Sequence, residues 1–207
     1  MKKRFAVVFV LLVSYAVFLA PGGENGGGPT FPQLITGQFE GVDPLVTAVF
    51  SMLGIYPVIF ALLLIPKDRY RLPAWPFVLL SFGLGAFSIL PYMAFRGSRN
   101  KETARGPRLL HHGITHPLLL ILLLIISIAV YLVGIAGSFS AYGEAFMNSG
   151  LVSVMTIDFL VVIWLTYYIL RYDWQLRHTW LTFIPAIGPL ILILWRNKLS
   201  VPHEKLD

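Results

Sequence analysis

Long apolar runs separated by short polar stretches dominate this chain, and none shows the period-two alternation of a half-buried strand. A bilayer core of about 30 Å takes about 20 helical residues to cross. Six nearly charge-free stretches approach or meet that length: Phe5 to Ala20, Pro44 to Pro66, Ala74 to Phe95, about Pro117 to Ser138, about Leu151 to Leu170, and Trp180 to Trp195. Backbone amides and carbonyls in hydrocarbon must be satisfied within the segment, so such runs are helices. The pattern predicts an all-α, polytopic transmembrane bundle of about six helices. The sixth stretch has only 16 residues and carries Pro185, Gly188 and Pro189.

The connections refine this into one integral membrane domain over residues 1–207. Residues 1–20 form an N-terminal anchor or signal-like helix, and Phe18, near the end of the apolar run, favours an uncleaved anchor. Residues 21–43 are a Gly- and Pro-rich flexible loop. Helices two and three occupy 44–95, a basic loop 96–116, helices four to six 117–195, and a tail 196–207. Asp43-Pro44 has the form of a helix start, with an accepting carboxylate before a proline at the first helical position.

Composition agrees. Of 207 residues, 57% are hydrophobic and only 13% charged, against about 25% in soluble domains, and mean hydropathy is +0.74. Disorder is excluded by the hydrophobicity. The absence of cysteine excludes disulfide staples and thiolate chemistry. A net charge of +6 does not indicate nucleic acid, because the basic residues flank apolar runs and do not form a soluble basic face.

The distribution of that charge is uneven. No Lys or Arg occurs from Phe5 to Pro66 or from Leu109 to Leu170. Six full crossings with the N-terminus inside put nine basic residues on one side and seven on the other, a weak orientation signal. If the third and sixth segments dip in and return, all 16 basic residues fall on one side. Length argues for six spans; charge argues for four spans and two re-entrant segments. The halves also share a layout. Trp75, Gly83, Gly85, Pro91 and Arg96 parallel Trp180, Pro185, Gly188, Pro189 and Arg196, which suggests two related three-helix halves, related by inversion if each crosses three times.

Asp158, in the middle of the fifth segment, is the leading candidate site. A mid-membrane carboxylate costs a few kcal/mol and usually faces a bundle interior or cavity. Its neighbours three and four positions away are apolar, so any partner comes from another helix. It reads as a proton relay or ligand anchor, or as a structural carboxyl hydrogen-bonded across the bundle. His111, His112 and His116 form the second candidate. His112 and His116 would share a helical face suited to a metal or ligand, though Gly113 and Pro117 interrupt the helix and no further cluster completes a coordination set. No metal is expected on balance, and no cofactor is indicated. Arg96, Arg99, Lys101, Arg105 and Arg108 make a basic loop that would face lipid and attract anionic headgroups. Gly-rich phosphate loops, His-Glu-x-x-His and Gly-x-Ser-x-Gly are all missing.

At Val42-Asp43-Pro44-Leu45-Val46-Thr47-Ala48-Val49-Phe50, Leu72-Pro73-Ala74-Trp75-Pro76-Phe77, Ser81-Phe82-Gly83-Leu84-Gly85-Ala86-Phe87 and Leu90-Pro91-Tyr92, the chain resembles uncharacterised polytopic membrane proteins of cyanobacterial and plastid type. Its back half, through Asp158, Arg171, Gly188-Pro189 and Arg196, is distantly similar in layout to the small plastid membrane proteins implicated in neoxanthin synthesis. The resemblance implies a pigment- or lipid-related role in a plasma or thylakoid-type membrane, without a catalytic set to carry over.

The expected function is therefore that of a non-enzymatic accessory or scaffold protein binding pigment, lipid or another membrane protein. One alternative is a small proton-coupled transporter using Asp158. Another is an intramembrane enzyme acting on an isoprenoid or lipid substrate.

Overall fold

Every regular element among the residues described, 2–21, 31–97 and 116–196 of a computed structural model, is helical. In chain order they are α1 (Lys2–Ser14, continued by a wider turn over Tyr15–Leu19), α2 (Phe31–Ile35), α3 (Pro44–Leu64), α4 (Trp75–Leu84), α5 (Ala86–Phe95), α6 (Pro117–Ile135), α7 (Phe139–Asn148), α8 (Gly150–Tyr168, extended by Ile169–Asp173), a short 3₁₀ segment (Thr179–Phe183) and α9 (Ile187–Leu194).

Helix starts follow local chemistry. The Asp43 carboxylate accepts from Leu45 N at 2.8 Å and Pro44 occupies the first turn, as expected. The other Asp43 oxygen accepts from Ser138 N at 3.0 Å, tying the start of α3 to the end of α6. Ser138 and Ser149 cap α7 and α8 in the same way.

Among the described residues, three helices are long and apolar enough to cross a membrane: Pro44–Lys67, Pro117–Ile135 and Gly150–Asp173. The second is the most hydropathic, at 3.2, yet only 17% of it is buried inside the protein. Leu118, Leu122, Ile125 and Leu132 on it are exposed, as are Leu79, Phe82, Phe95 and Phe183 elsewhere. An apolar surface on this scale needs a non-aqueous neighbour.

The third apolar segment departs from the expected single crossing. Gly85, at φ +51° and ψ −128°, separates two ten-residue helices, each only about 15 Å long at 1.5 Å per residue. The chain reverses there. Ser88 Oγ donates to Phe77 O at 2.7 Å, and the Phe77 and Tyr92 rings lie 5.5 Å apart, which a continuous helix could not achieve. Both outer ends consequently meet at one end of the bundle. Lys67 Nζ, before α4, donates to Asp173 O at 2.7 Å, and Arg96, after α5, pairs with the Asp173 carboxylate at 2.6 and 2.9 Å. Lys67 and Arg96 would be on opposite sides if the segment crossed once.

The sixth segment folds back similarly. Its arms are the 3₁₀ turn and α9, and a Cβ at Gly188 would overlap the Leu181 carbonyl, so glycine is what allows their close approach. The reversal runs through Pro185-Ala186-Ile187, where Ile187 N donates to Pro185 O at 2.6 Å and Ala186 has φ +58° and ψ −53°. This is the strained form of γ-turn. Arg196 returns to within 5.9 Å of the Trp174 ring.

The core lies where α3, α5, α8 and α9 meet, around fully buried Tyr56, Phe60, Ile89, Leu90, Leu165 and Ile169. Helix α1 belongs to it. Phe5 packs edge-on against Tyr168 at 4.8 Å, and Leu12 is buried.

Candidate functional site

Asp158 sits near the middle of α8, 5% exposed, and its partner is the tip of the first hairpin. Oδ1 accepts from Ala86 N, the first amide of α5, at 2.9 Å. Half-helix α5 thus has its N-terminal cap supplied by a side chain from another helix, placed where the backbone dipole offers partial positive charge. A Cβ at Gly85 would overlap the carboxylate. Glycine at that position does two things: it adopts a backbone conformation closed to other residues, and it lets the carboxylate reach the amide.

Beside this contact is a cavity of about 260 Å³. Phe50, Leu53 and Gly54 of α3 and Val154 and Met155 of α8 make its apolar wall, and Ser81 and Asp158 are its polar residues. Ser81 Oγ donates its proton to Val78 O at 2.7 Å, so Ser81 and the second Asp158 oxygen both offer acceptors to the cavity.

The second hairpin tip is held in a corresponding way. Ala186 N donates to the hydroxyl of Tyr56, midway along α3, at 3.4 Å, and Tyr131 donates to Pro185 O at 3.2 Å. Sequence reasoning passed over Tyr56; a polar group in the middle of an apolar span was the available signal.

The other candidates part company. His116 is the N-cap of α6, accepting from Leu118 N through Nδ1 at 3.3 Å, and it does not line the Asp158 cavity. His111, His112, Arg99, Lys101, Arg105 and Arg108 lie outside the described residues. Among the described residues no three His, Asp or Glu side chains gather as a metal would require. Arg96 is a correction. Expected in a lipid-facing basic loop, it is 9% exposed, bidentate to Asp173 and stacked 4.4 Å from the Tyr70 ring. Burial alone would lower its pKa, but the hydrogen bonds and charge of Asp173 prevail and hold it above the ordinary guanidinium value.

Compared with known protein families, curated proteins and solved structures, the chain matches none.

Proposed function

We propose that the protein is a multi-pass integral membrane protein, built from four crossing helices and two half-membrane hairpins, that holds a lipid- or isoprenoid-class ligand at the tip of the first hairpin. The observation that carries this reading is a mid-bundle cavity whose wall is apolar except for Ser81 and a carboxylate. At about 260 Å³ it accommodates one ring or chain end of a larger molecule, with a hydroxyl or amine of that molecule facing Asp158. The rest of the ligand would lie along the exposed apolar face. The role around such a ligand is proposed to be an accessory one.

The charge pattern supports the topology. With both hairpins entering from one side, every Lys and Arg is non-translocated, in keeping with the usual bias. Helix α1 and its continuing turn together reach about 27 Å at helical rise, close to the thickness of the hydrocarbon core. Each half then comprises two crossings and a hairpin, which relates the halves by an axis along the membrane normal and not by inversion. Each tip is pinned by the second crossing of the other half, through Asp158 and Tyr56.

Gly54→Leu tests the ligand reading. A Cβ at Gly54 meets nothing within 4 Å, so the leucine fills the cavity without displacing backbone. Mass spectrometry of lipid extracted from mild-detergent preparations should show a bound apolar species that the variant loses at unchanged thermal stability. No such species in the wild type, or equal retention by the variant, refutes the proposal. A second reading, proton-coupled transport, is favoured by a carboxylate beside a half-helix terminus at mid-bundle. It predicts pH-dependent liposome flux that Asp158→Asn abolishes; unchanged flux eliminates it.

A further inference from the structure

A second recess, of about 690 Å³, opens at the basic end of the bundle, at the far end of the first hairpin from Asp158. Lys3 and Arg4 come to it from the start of α1, Arg96 from the end of α5, Tyr70 from the stretch after α3, and Tyr168 from the end of α8. Phe5 and Met93 give it an apolar wall.

The charges are not balanced. Asp173 is committed to Arg96, while Lys3 and Arg4 form no ion pair among the described residues. Tyr168 is the second, independent sign of a ligand. It is 6% exposed, its ring is fixed against Phe5 at 4.8 Å and Tyr172 at 4.5 Å, and its buried hydroxyl has no hydrogen-bond partner among the described residues. A hydroxyl taken from water without a partner is destabilising, so such groups in folded proteins normally meet something.

We infer that this recess binds the phosphodiester headgroup of an anionic phospholipid, with Lys3 and Arg4 supplying charge and the Tyr168 hydroxyl donating a hydrogen bond to a phosphate oxygen. Lipid is the source because the recess joins a cationic rim to the apolar Phe5 and Met93, a combination that matches the boundary between headgroup and chain. Its volume also exceeds what inorganic phosphate fills. The site is separate from the Asp158 cavity and does not depend on the ligand proposed there.

The test uses full-length protein in phosphatidylcholine nanodiscs containing a minor fraction of phosphatidylglycerol, read by native mass spectrometry. The wild type should retain phosphatidylglycerol in preference to phosphatidylcholine. Retention should fall roughly tenfold in Lys3→Ala/Arg4→Ala, as expected for losing charge-assisted contacts, and roughly three- to tenfold in Tyr168→Phe. Tyr168→Phe keeps the ring packing, so its melting temperature should match the wild type, and it serves if the double variant inserts poorly. No preference for phosphatidylglycerol in the wild type, or retention unaltered by Tyr168→Phe, overturns the inference. Displacement by millimolar inorganic phosphate also overturns it, since the ligand would then be a soluble phosphate.

Discussion

Replacing Gly85 with alanine should destabilise the protein by at least about 2 kcal/mol, for two separable reasons. The backbone at φ +51° and ψ −128° is one that residues with a Cβ rarely adopt, and forcing it costs of order 1–3 kcal/mol. The added methyl would also overlap the Asp158 carboxylate, displacing it from Ala86 N. Leaving the buried Ala86 N–H without its acceptor costs about 1–3 kcal/mol, so the two effects together reach about 2–6 kcal/mol. For a chain of this length the lower figure corresponds to a melting temperature roughly 4–8 °C lower. Thermal unfolding of detergent-purified protein, followed by tryptophan fluorescence, provides the readout. Gly83→Ala is the control, because a Cβ there meets nothing within 4 Å and the backbone is ordinary helix. Asp158→Ala completes a double-mutant cycle. Both single variants lose the same hydrogen bond, so the double variant should fall short of their sum by about 1–3 kcal/mol. A Gly85→Ala protein melting within about 2 °C of the wild type, or strictly additive effects, would refute the claim that this carboxylate pins the hairpin tip.

Two further substitutions probe other parts of the same architecture. Asp173→Ala strands the largely buried Arg96 guanidinium and should destabilise by about 3 kcal/mol, while Asp173→Asn, which keeps one acceptor, should lose less; equal melting temperatures for the two would contradict a buried ion pair. Ala186→Gly relieves a positive φ worth about 1–3 kcal/mol but removes a fully buried methyl worth about 1 kcal/mol, so stability should hold or rise in the same assay, and a fall well beyond about 1 kcal/mol would contradict strain in the γ-turn.

Local features of this fold were legible in the sequence, and long-range ones were not. The starts at Asp43-Pro44 and Pro117 and the extents of α3, α6 and α8 depend on residues adjacent in the chain, so caps and apolar length were enough. The break at Gly85 was hidden for the opposite reason. Continuous apolar sequence suits one crossing helix as well as two half-helices, and the stabilising partner is 72 residues away in α8. The lopsided distribution of basic residues, together with Gly83, Gly85 and Pro91, was the sequence property that agreed with a hairpin, since both of its flanks are basic. Asp158 stood out as costly and interior-facing, but its partner is a backbone amide, which no side-chain pattern announces. Arg96 misled because the sequence shows a basic cluster and not Asp173, which neutralises it from across the bundle.

The central claim, that both ends of the Ala74–Phe95 hairpin lie on one side of the membrane, can be tested directly because the chain has no native cysteine. Single cysteines at Arg69, just before the hairpin, at Ser98, just after it, and at Gly143 in α7 would be treated in oriented membranes with an impermeant thiol reagent. The account predicts that the Arg69→Cys and Ser98→Cys proteins react from the same side and the Gly143→Cys protein from the other. Reaction of Arg69→Cys and Ser98→Cys from opposite sides would contradict it.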